Sequence, residues 1–228
     1  MVLELGTKRQ VSPRRLTLAM VLGATLLVGG LAWSGWVAWQ LFGTNWVSHR
    51  AQARTIERLE ESWKRGERRV EVEAGVNADA LIRIPRFGAD YAVPVLRGTG
   101  DQVLAQGFGH VVGTAEVGKV GNYVVAAHRV THGEPLRRMP DLRPGDKVIV
   151  ETSSKVYTYV LDTPGAGLVV DFTAGWVLNT LPANPKSGGI EPAQRKGQKL
   201  ITLLTCSELF HTDNRLVAFG HLTSATRR

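Results

Sequence analysis

Lys199-Leu-Ile-Thr-Leu-Leu-Thr-Cys206 is a strand-like run that ends on the only cysteine of the chain. Nine residues further on, Arg215 opens a second run, Arg215-Leu-Val-Ala-Phe-Gly-His221. A third, Asn122-Tyr-Val-Val-Ala-Ala-His128, ends on a histidine. Short apolar, β-branched runs bounded by polar residues and turn signals are strands rather than helices. A lone thiol at one strand end, with a cation at the start of the next, reads as a nucleophile with its electrostatic partner.

Working outward from these runs, the pattern from Ala80 onward is β-type throughout. The expected strands are Ala80–Ile84, Tyr91–Leu96, Asn122–His128, Lys147–Glu151, Val156–Asp162, Gly167–Val170, Lys199–Cys206 and Arg215–Leu222. Pro144-Gly-Asp146 marks a turn, and Val156-Tyr-Thr-Tyr-Val-Leu alternates as a half-buried strand does. Only short helices fit between, around 134–139 and 175–181. About eight strands in some 150 residues predict an all-β domain, a closed barrel or a sandwich.

Upstream the chemistry changes. Leu16 to Phe42 is free of charged residues, and a helix needs roughly 20 apolar residues to cross the hydrocarbon core of a bilayer. Trp33, Trp36, Trp39 and Trp46 crowd its C-terminal side, as in an interfacial aromatic belt. Lys8, Arg9, Arg14 and Arg15 precede it, against Arg50 and Arg54 after it. The positive-inside rule then places the N-terminus in the cytoplasm and the rest outside. The apolar core is too long for a cleaved signal peptide, so an uncleaved, single-pass signal anchor in the cell membrane is expected. From Ser48 to Glu73 the chain is charged and helix-prone, with Ile56, Leu59 and Trp63 at helical spacing. It reads as a juxtamembrane helix with one thin apolar stripe: a spacer, a membrane-surface contact or a solvated helix. The expected organisation is a cytoplasmic tail (1–15), the transmembrane anchor (16–42), a charged juxtamembrane linker (43–77), the β-domain (78–224) and a short tail (225–228).

The 228 residues carry a net charge of +8 with no long basic run, so nucleic-acid binding is not favoured. One cysteine excludes an internal disulfide and a thiolate zinc cluster. Outside the cell an unpaired cysteine calls for a use. As a nucleophile Cys206 must be a thiolate, and a nearby cation favours that form. Arg215 remains charged at every usable pH and can donate hydrogen bonds to an oxyanion or a substrate carbonyl. The connection Ser207–Asn214 would return the chain and bring Arg215 beside Cys206. His128 can give a proton to a leaving amine and later take one from an attacking nucleophile. Together the three support acyl transfer through a thioester. Among the other histidines, His221 reads as structural, His110 and His132 as loop residues that could flank a groove, and His211 as a residue that could line the site. His128-x-x-x-His132 has metal-like spacing, but with no third ligand nearby no metal or other cofactor is expected.

The run Thr202-Leu-Leu-Thr-Cys206, matching a TLxTC signature, followed at this interval by Arg215, resembles the sortases, membrane-anchored cysteine transpeptidases of Gram-positive bacteria. Gly121-Asn-Tyr-Val-Val-Ala-Ala-His128-Arg129 is similar to the family's histidine strand. Leu81-Ile-Arg-Ile-Pro85 and Val93–Gly100 are similar to its domain opening. The resemblance covers roughly 78–223 and implies an eight-stranded β-barrel. It further implies cleavage of a sorting signal between Thr and Gly, with the acyl group held on Cys206 and passed to an amine. That amine is typically on the peptidoglycan precursor lipid II. His128 would be the general acid/base, and Arg215 would hold substrate and oxyanion.

The stretch His128-Arg-Val-Thr131-His-Gly133-x-Pro135-Leu, then Leu142-Arg-Pro-Gly-Asp146, is similar to the actinobacterial class E type. That class carries a tyrosine where Tyr123 stands, associated with preferring Leu-Ala-x-Thr-Gly over Leu-Pro-x-Thr-Gly. Tyr123, Thr205, Thr131 and Arg129 are the substrate-binding candidates. The expected partners are secreted proteins bearing sorting signals, a lipid II-type amine and membrane lipid. A departure is Ala127, where many relatives have glycine. Two other functions use or spare the same residues: a membrane-tethered cysteine endopeptidase that passes the acyl group to water, and a non-catalytic cell-wall-binding module with Cys206 merely buried.

Overall fold

The computed structural model describes residues 13–39, 43–206 and 213–228. Lys8 and Arg9 of the expected tail, residues 40–42 at the end of the expected anchor and His211 lie outside the described residues, as does most of the Ser207–Asn214 connection. The chain divides into two compact units, 1–41 and 42–228. The first contains helix α1 (Pro13–Ala38). Within it, Met20–Val37 has a mean hydropathy of 1.6 and is long and apolar enough to cross a membrane. Leu22, Leu26, Leu31 and Trp33 of this stretch are all exposed.

Among the described residues, the second unit opens with helix α2 (Thr44–Lys64) and ten strands follow: β1 (Val70–Glu73), β2 (Val76–Arg83), β3 (Val93–Arg97), β4 (Phe108–His110), β5 (Gly121–Ala126), β6 (Lys147–Thr152), β7 (Lys155–Leu161), β8 (Leu168–Asp171), β9 (Lys199–Cys206) and β10 (Asn214–Arg227). A one-turn helix, α3 (Asp101–Leu104), joins β3 to β4. The ladder runs β2-β3-β4-β5-β9-β10-β7-β6. It returns to β2 by the pairing of Ala80–Arg83 with Ile149–Thr152, so eight strands close a barrel and leave no free edge in the ring. Two pairs, β3–β4 and β5–β9, are parallel and the rest antiparallel. β1 is a hairpin arm on β2, and β8 lies on the first part of β10.

The eight-stranded barrel agrees with the sequence expectation, although its membership differs by one strand. Gly167–Val170, expected as a member, is β8 and sits outside the ring. The missing member is β4, three residues with a central glycine, too short to show a periodic signal. β10 also continues past Leu222 through a bulge and pairs Ala225–Arg227 with Tyr157–Lys155. Residues 225–227 are therefore strand rather than a tail, because β7 offers a free ladder to its first residue.

Alternation along the strands sorts the side chains. Ala80 and Ile82 of β2, Val93 and Val95 of β3, Tyr123 and Val125 of β5, Ile201 and Leu203 of β9, and Leu216 and Ala218 of β10 fill the barrel interior with Phe108, Tyr159 and Leu161. The opposite face of β9 and β10 packs Val217 and Phe219 under Leu168, Val177 and Trp176. The opposite face of β2 and β3 is covered by α2. Leu59 and Trp63 pack with Val70, Ala78, Leu81, Leu96 and Val103. The thin apolar stripe read from the sequence is thus buried, and α2 is part of the folded unit rather than a solvated spacer. Arg83, bonded to Glu151 at 2.8 Å and 4.0 Å from Glu60 of α2, ties the same face together.

Candidate active site

Three strands converge at one rim of the barrel. β9 lies between β5, parallel to it, and β10, antiparallel to it. On the β10 side the register pairs Cys206 with Arg215 and Thr205 with Leu216. On the β5 side it pairs Ala126 with Leu204, and one further bond, Ala127 N–H to the Leu204 carbonyl at 3.1 Å, carries the ladder past the strand end. Thr205 Oγ1 donates to the Ala127 carbonyl at 2.7 Å. Ala127 is therefore held by β9 on both its N–H and its C=O. His128 is delivered at the level of Cys206 on one side, with Arg215 on the other.

The remainder of the rim follows from the turn after His128. The Leu136 N–H donates to the His128 carbonyl at 3.0 Å, closing a loop over 129–135. His132 returns its ring onto His128, with centroids 4.8 Å apart and planes at 29°. Thr131 Oγ1 meets His132 Nδ1 at 3.0 Å. Burial holds the His132 imidazole below its ordinary pKa, with Asp101 opposing, so it is neutral near pH 7. His132 (φ 56°) and Glu134 (φ 48°) both adopt the left-handed conformation without being glycine. Such residues cost about 1–2 kcal/mol each and persist where their surroundings hold them. Arg215 Nη1 donates to the Asn214 carbonyl at 3.0 Å. Asp171, opposite Asn214 across the β8–β10 ladder, is held below the usual carboxylate range by bonds from Thr173, with Arg215 adding to the effect.

Of the seven residues expected from the sequence, six lie at this rim or on the turn beside it: Cys206, His128, Arg215, Thr205, Arg129 and Thr131. Tyr123 does not. It sits in the barrel interior, 3% exposed, opposite Ile201 of β9 and with its ring 4.8 Å from that of His110. Five residues of extended chain separate it from His128, about 16 Å. Burial pushes its phenol pKa well up, the behaviour of a core side chain. His110 lies on β4 rather than in a loop, and it lines a cavity with Asp79, Glu116 and Tyr123, with Nε2 3.1 Å from the Ala115 carbonyl and 3.2 Å from Thr114 Oγ1. His221 pairs with Asp162 at 2.7 Å, far along β10 from Arg215. Sequence reasoning did not single out Asn45 of α2. Its Oδ1 accepts from the Gly133 N–H at 2.9 Å and its Nδ2 donates to Glu134 Oε1 at 2.7 Å. No local pattern marks a contact between residues so distant in sequence.

A closed barrel with cysteine, histidine and arginine brought to one rim by adjacent strands defines a β-barrel protein with a cysteine-centred site. The sortase domain family matches residues 82–223, and the chain belongs to the sortase family. It is similar to the structure of sortase E from Streptomyces avermitilis, which is 37% identical, with 65% of this chain and 89% of that one covered at a TM-score of 0.56. It is similar as well to sortase SrtE1 of Streptomyces coelicolor, 29% identical over 97% of this chain. The chain spans 63% of the length of that relative. The sortase E1 structure from the same organism, with a tripeptide in its active site, is 28% identical, covers 65% of this chain and 90% of its own, and has a TM-score of 0.56. These relatives place the chain with the class E sortases.

Proposed function

We propose that the protein is a membrane-anchored class E sortase that cleaves a Leu-Ala-x-Thr-Gly or Leu-Pro-x-Thr-Gly sorting signal between Thr and Gly. The Cys206 thiolate attacks the threonine carbonyl, and the carbonyl π electrons move to oxygen. When the tetrahedral intermediate collapses, the C–N bond breaks and His128 delivers the proton that the leaving glycine amine takes up. The acyl group then rests on Cys206 as a thioester. An amine, on a cell-wall precursor of lipid II type, attacks it; His128 takes the amine's proton and the thiolate leaves. Arg215 donates to the oxyanion in both tetrahedral states and favours the thiolate between turnovers. Thr205 keeps the β5 end in line with the β9 end, and Arg129 and Thr131 stand beside the incoming peptide. α1 is the single-pass anchor, with the catalytic unit outside the cell.

The observation that carries this reading is the register, which sets Cys206 between Arg215 on β10 and the end of β5 that bears His128. The test is the mass of the Cys206 adduct formed with Leu-Ala-x-Thr-Gly and Leu-Pro-x-Thr-Gly peptides, with and without a glycine or diaminopimelate-type amine. An acyl adduct ending at threonine, released as an amide when amine is present, supports it. Release as the free acid alone, whatever the amine, makes the protein an endopeptidase instead.

A further inference from the structure

Helix α2 contributes no strand to the barrel, yet it reaches the turn that follows His128. Asn45, in its first turn, grips that turn at two points, the Gly133 N–H and the Glu134 carboxylate. Gln52, two turns on, is 4% exposed and packs against Gly133 so closely that a Cβ there would stand 2.7 Å from Gln52 Nε2. Gly133 itself has φ 80°, which a side chain rarely tolerates. The turn thus passes through three successive left-handed residues, His132, Gly133 and Glu134, beneath a helix that bonds to the second and the third. The first of the three stacks its ring on His128.

We propose that α2 is a positioning element of the active centre: Asn45 and Gln52 hold the 132–134 turn in its left-handed form, and the turn sets His132 as a plate against the His128 ring. The inference rests on the reading of His128 as the acid/base. Its physical content is orientational. An imidazole at the end of a strand has two rotatable torsions, and proton transfer needs one ring nitrogen aimed at the reacting atoms. A stacked ring removes part of that rotation, and a neutral His132 does so without opposing the charge that His128 gains. Released from α2, the three left-handed residues relax toward ordinary backbone conformations and the plate is lost.

The test uses the full chain in lipid nanodiscs, with single-turnover acylation of Cys206 by a sorting peptide as readout. Asn45→Ala and His132→Ala should each lower the maximal acylation rate by about 10-fold, with little change in the peptide concentration at half-maximal rate, because orientation and not binding is lost. His132→Phe should restore most of the rate. The double variant should be little worse than either single one, since both act through one element. The imidazole resonances of His128 should shift in both alanine variants, a readout that holds even if the peptide is not a substrate. Unchanged His128 resonances in Asn45→Ala would overturn the proposal. So would a rate loss accounted for by unfolding in a melt, or a His132→Phe variant as slow as His132→Ala. Failure of the wild-type chain to acylate any sorting peptide would count against the proposed function alone.

Discussion

Cys206 and Arg215 are direct cross-strand partners in the antiparallel β9–β10 ladder. Residues so paired have α-carbons about 4.5–5.5 Å apart, and the pairing is set by the whole ladder down to Leu200 opposite His221. The cation is thereby held by backbone hydrogen bonds rather than by a flexible loop. On the other flank Ala127, pinned by Leu204 and Thr205, gives the histidine the same kind of support.

Arg215→Ala should lower kcat/KM for peptide cleavage by about 10²–10³-fold, the usual cost of removing an oxyanion donor. Arg215→Lys should recover little of it, because a point charge on a flexible stem does not reproduce a planar fork of donors. Steady-state kinetics alongside a thermal melt checks this; a normal melt with lost activity is the expected result.

Thr205→Val keeps the side chain's shape but removes the hydroxyl that donates to the Ala127 carbonyl. The buried carbonyl then lacks that donor, at a cost of about 1–3 kcal/mol. Urea denaturation should show a lower midpoint for Thr205→Val and nearly none of that loss for Thr205→Ser.

Leu59 of α2 is fully buried against the β2–β3 face. Leu59→Ala should destabilise the catalytic unit by about 2–5 kcal/mol. A solvated spacer helix would give a change within about 0.5 kcal/mol, so the denaturation midpoint of the full chain distinguishes the two.

Burial holds His110 below its ordinary pKa, with Glu116 opposing. The unfolded chain therefore takes up the proton first, near pH 6.5. The stability from a neutral His110 is complete above that pH and is lost as pH falls through the lower folded value. His132 acts with the same sign. Stability measured at about pH 7.5 and about pH 5.5 should fall less in His110→Gln than in the wild type; an equal fall would show that other groups control the slope.

Cys206 is the sole thiol of the chain, so one reagent reports orientation. A membrane-impermeant maleimide added to intact cells should label the wild type and not Cys206→Ala. Labelling that requires permeabilised cells would place the catalytic unit in the cytoplasm.

Much of the site was legible because its chemistry is carried by strand ends. Cys206, Arg215 and His128 each close or open a short apolar run, and those runs form β9, β10 and β5, with His128 two residues past the end of β5. The residues that escaped are those whose role depends on contacts distant in sequence. β1 could have been read from Val70-Glu-Val-Glu73, which alternates, had the charged helix before it not drawn the stretch into its own pattern. β4 could not, since three residues with a glycine at the centre carry no period. Tyr123 is a substrate-binding candidate through the class E resemblance, which carries no geometry; in the extended strand it lies five positions before His128, and alternation turns its ring inward beside that of His110.

The sequence by itself determined the apolar helix, the β-character of the domain and the three reactive residue types, because hydrophobic period and side-chain chemistry are local properties. Only the tertiary structure decided which strand ends meet. The parallel β5–β9 pairing, the closure of β2 on β6 and the docking of α2 over the 132–134 turn are long-range, and no periodicity encodes them. They come from burying the two faces of the strands at once, and that requirement brings Cys206 between Arg215 and His128.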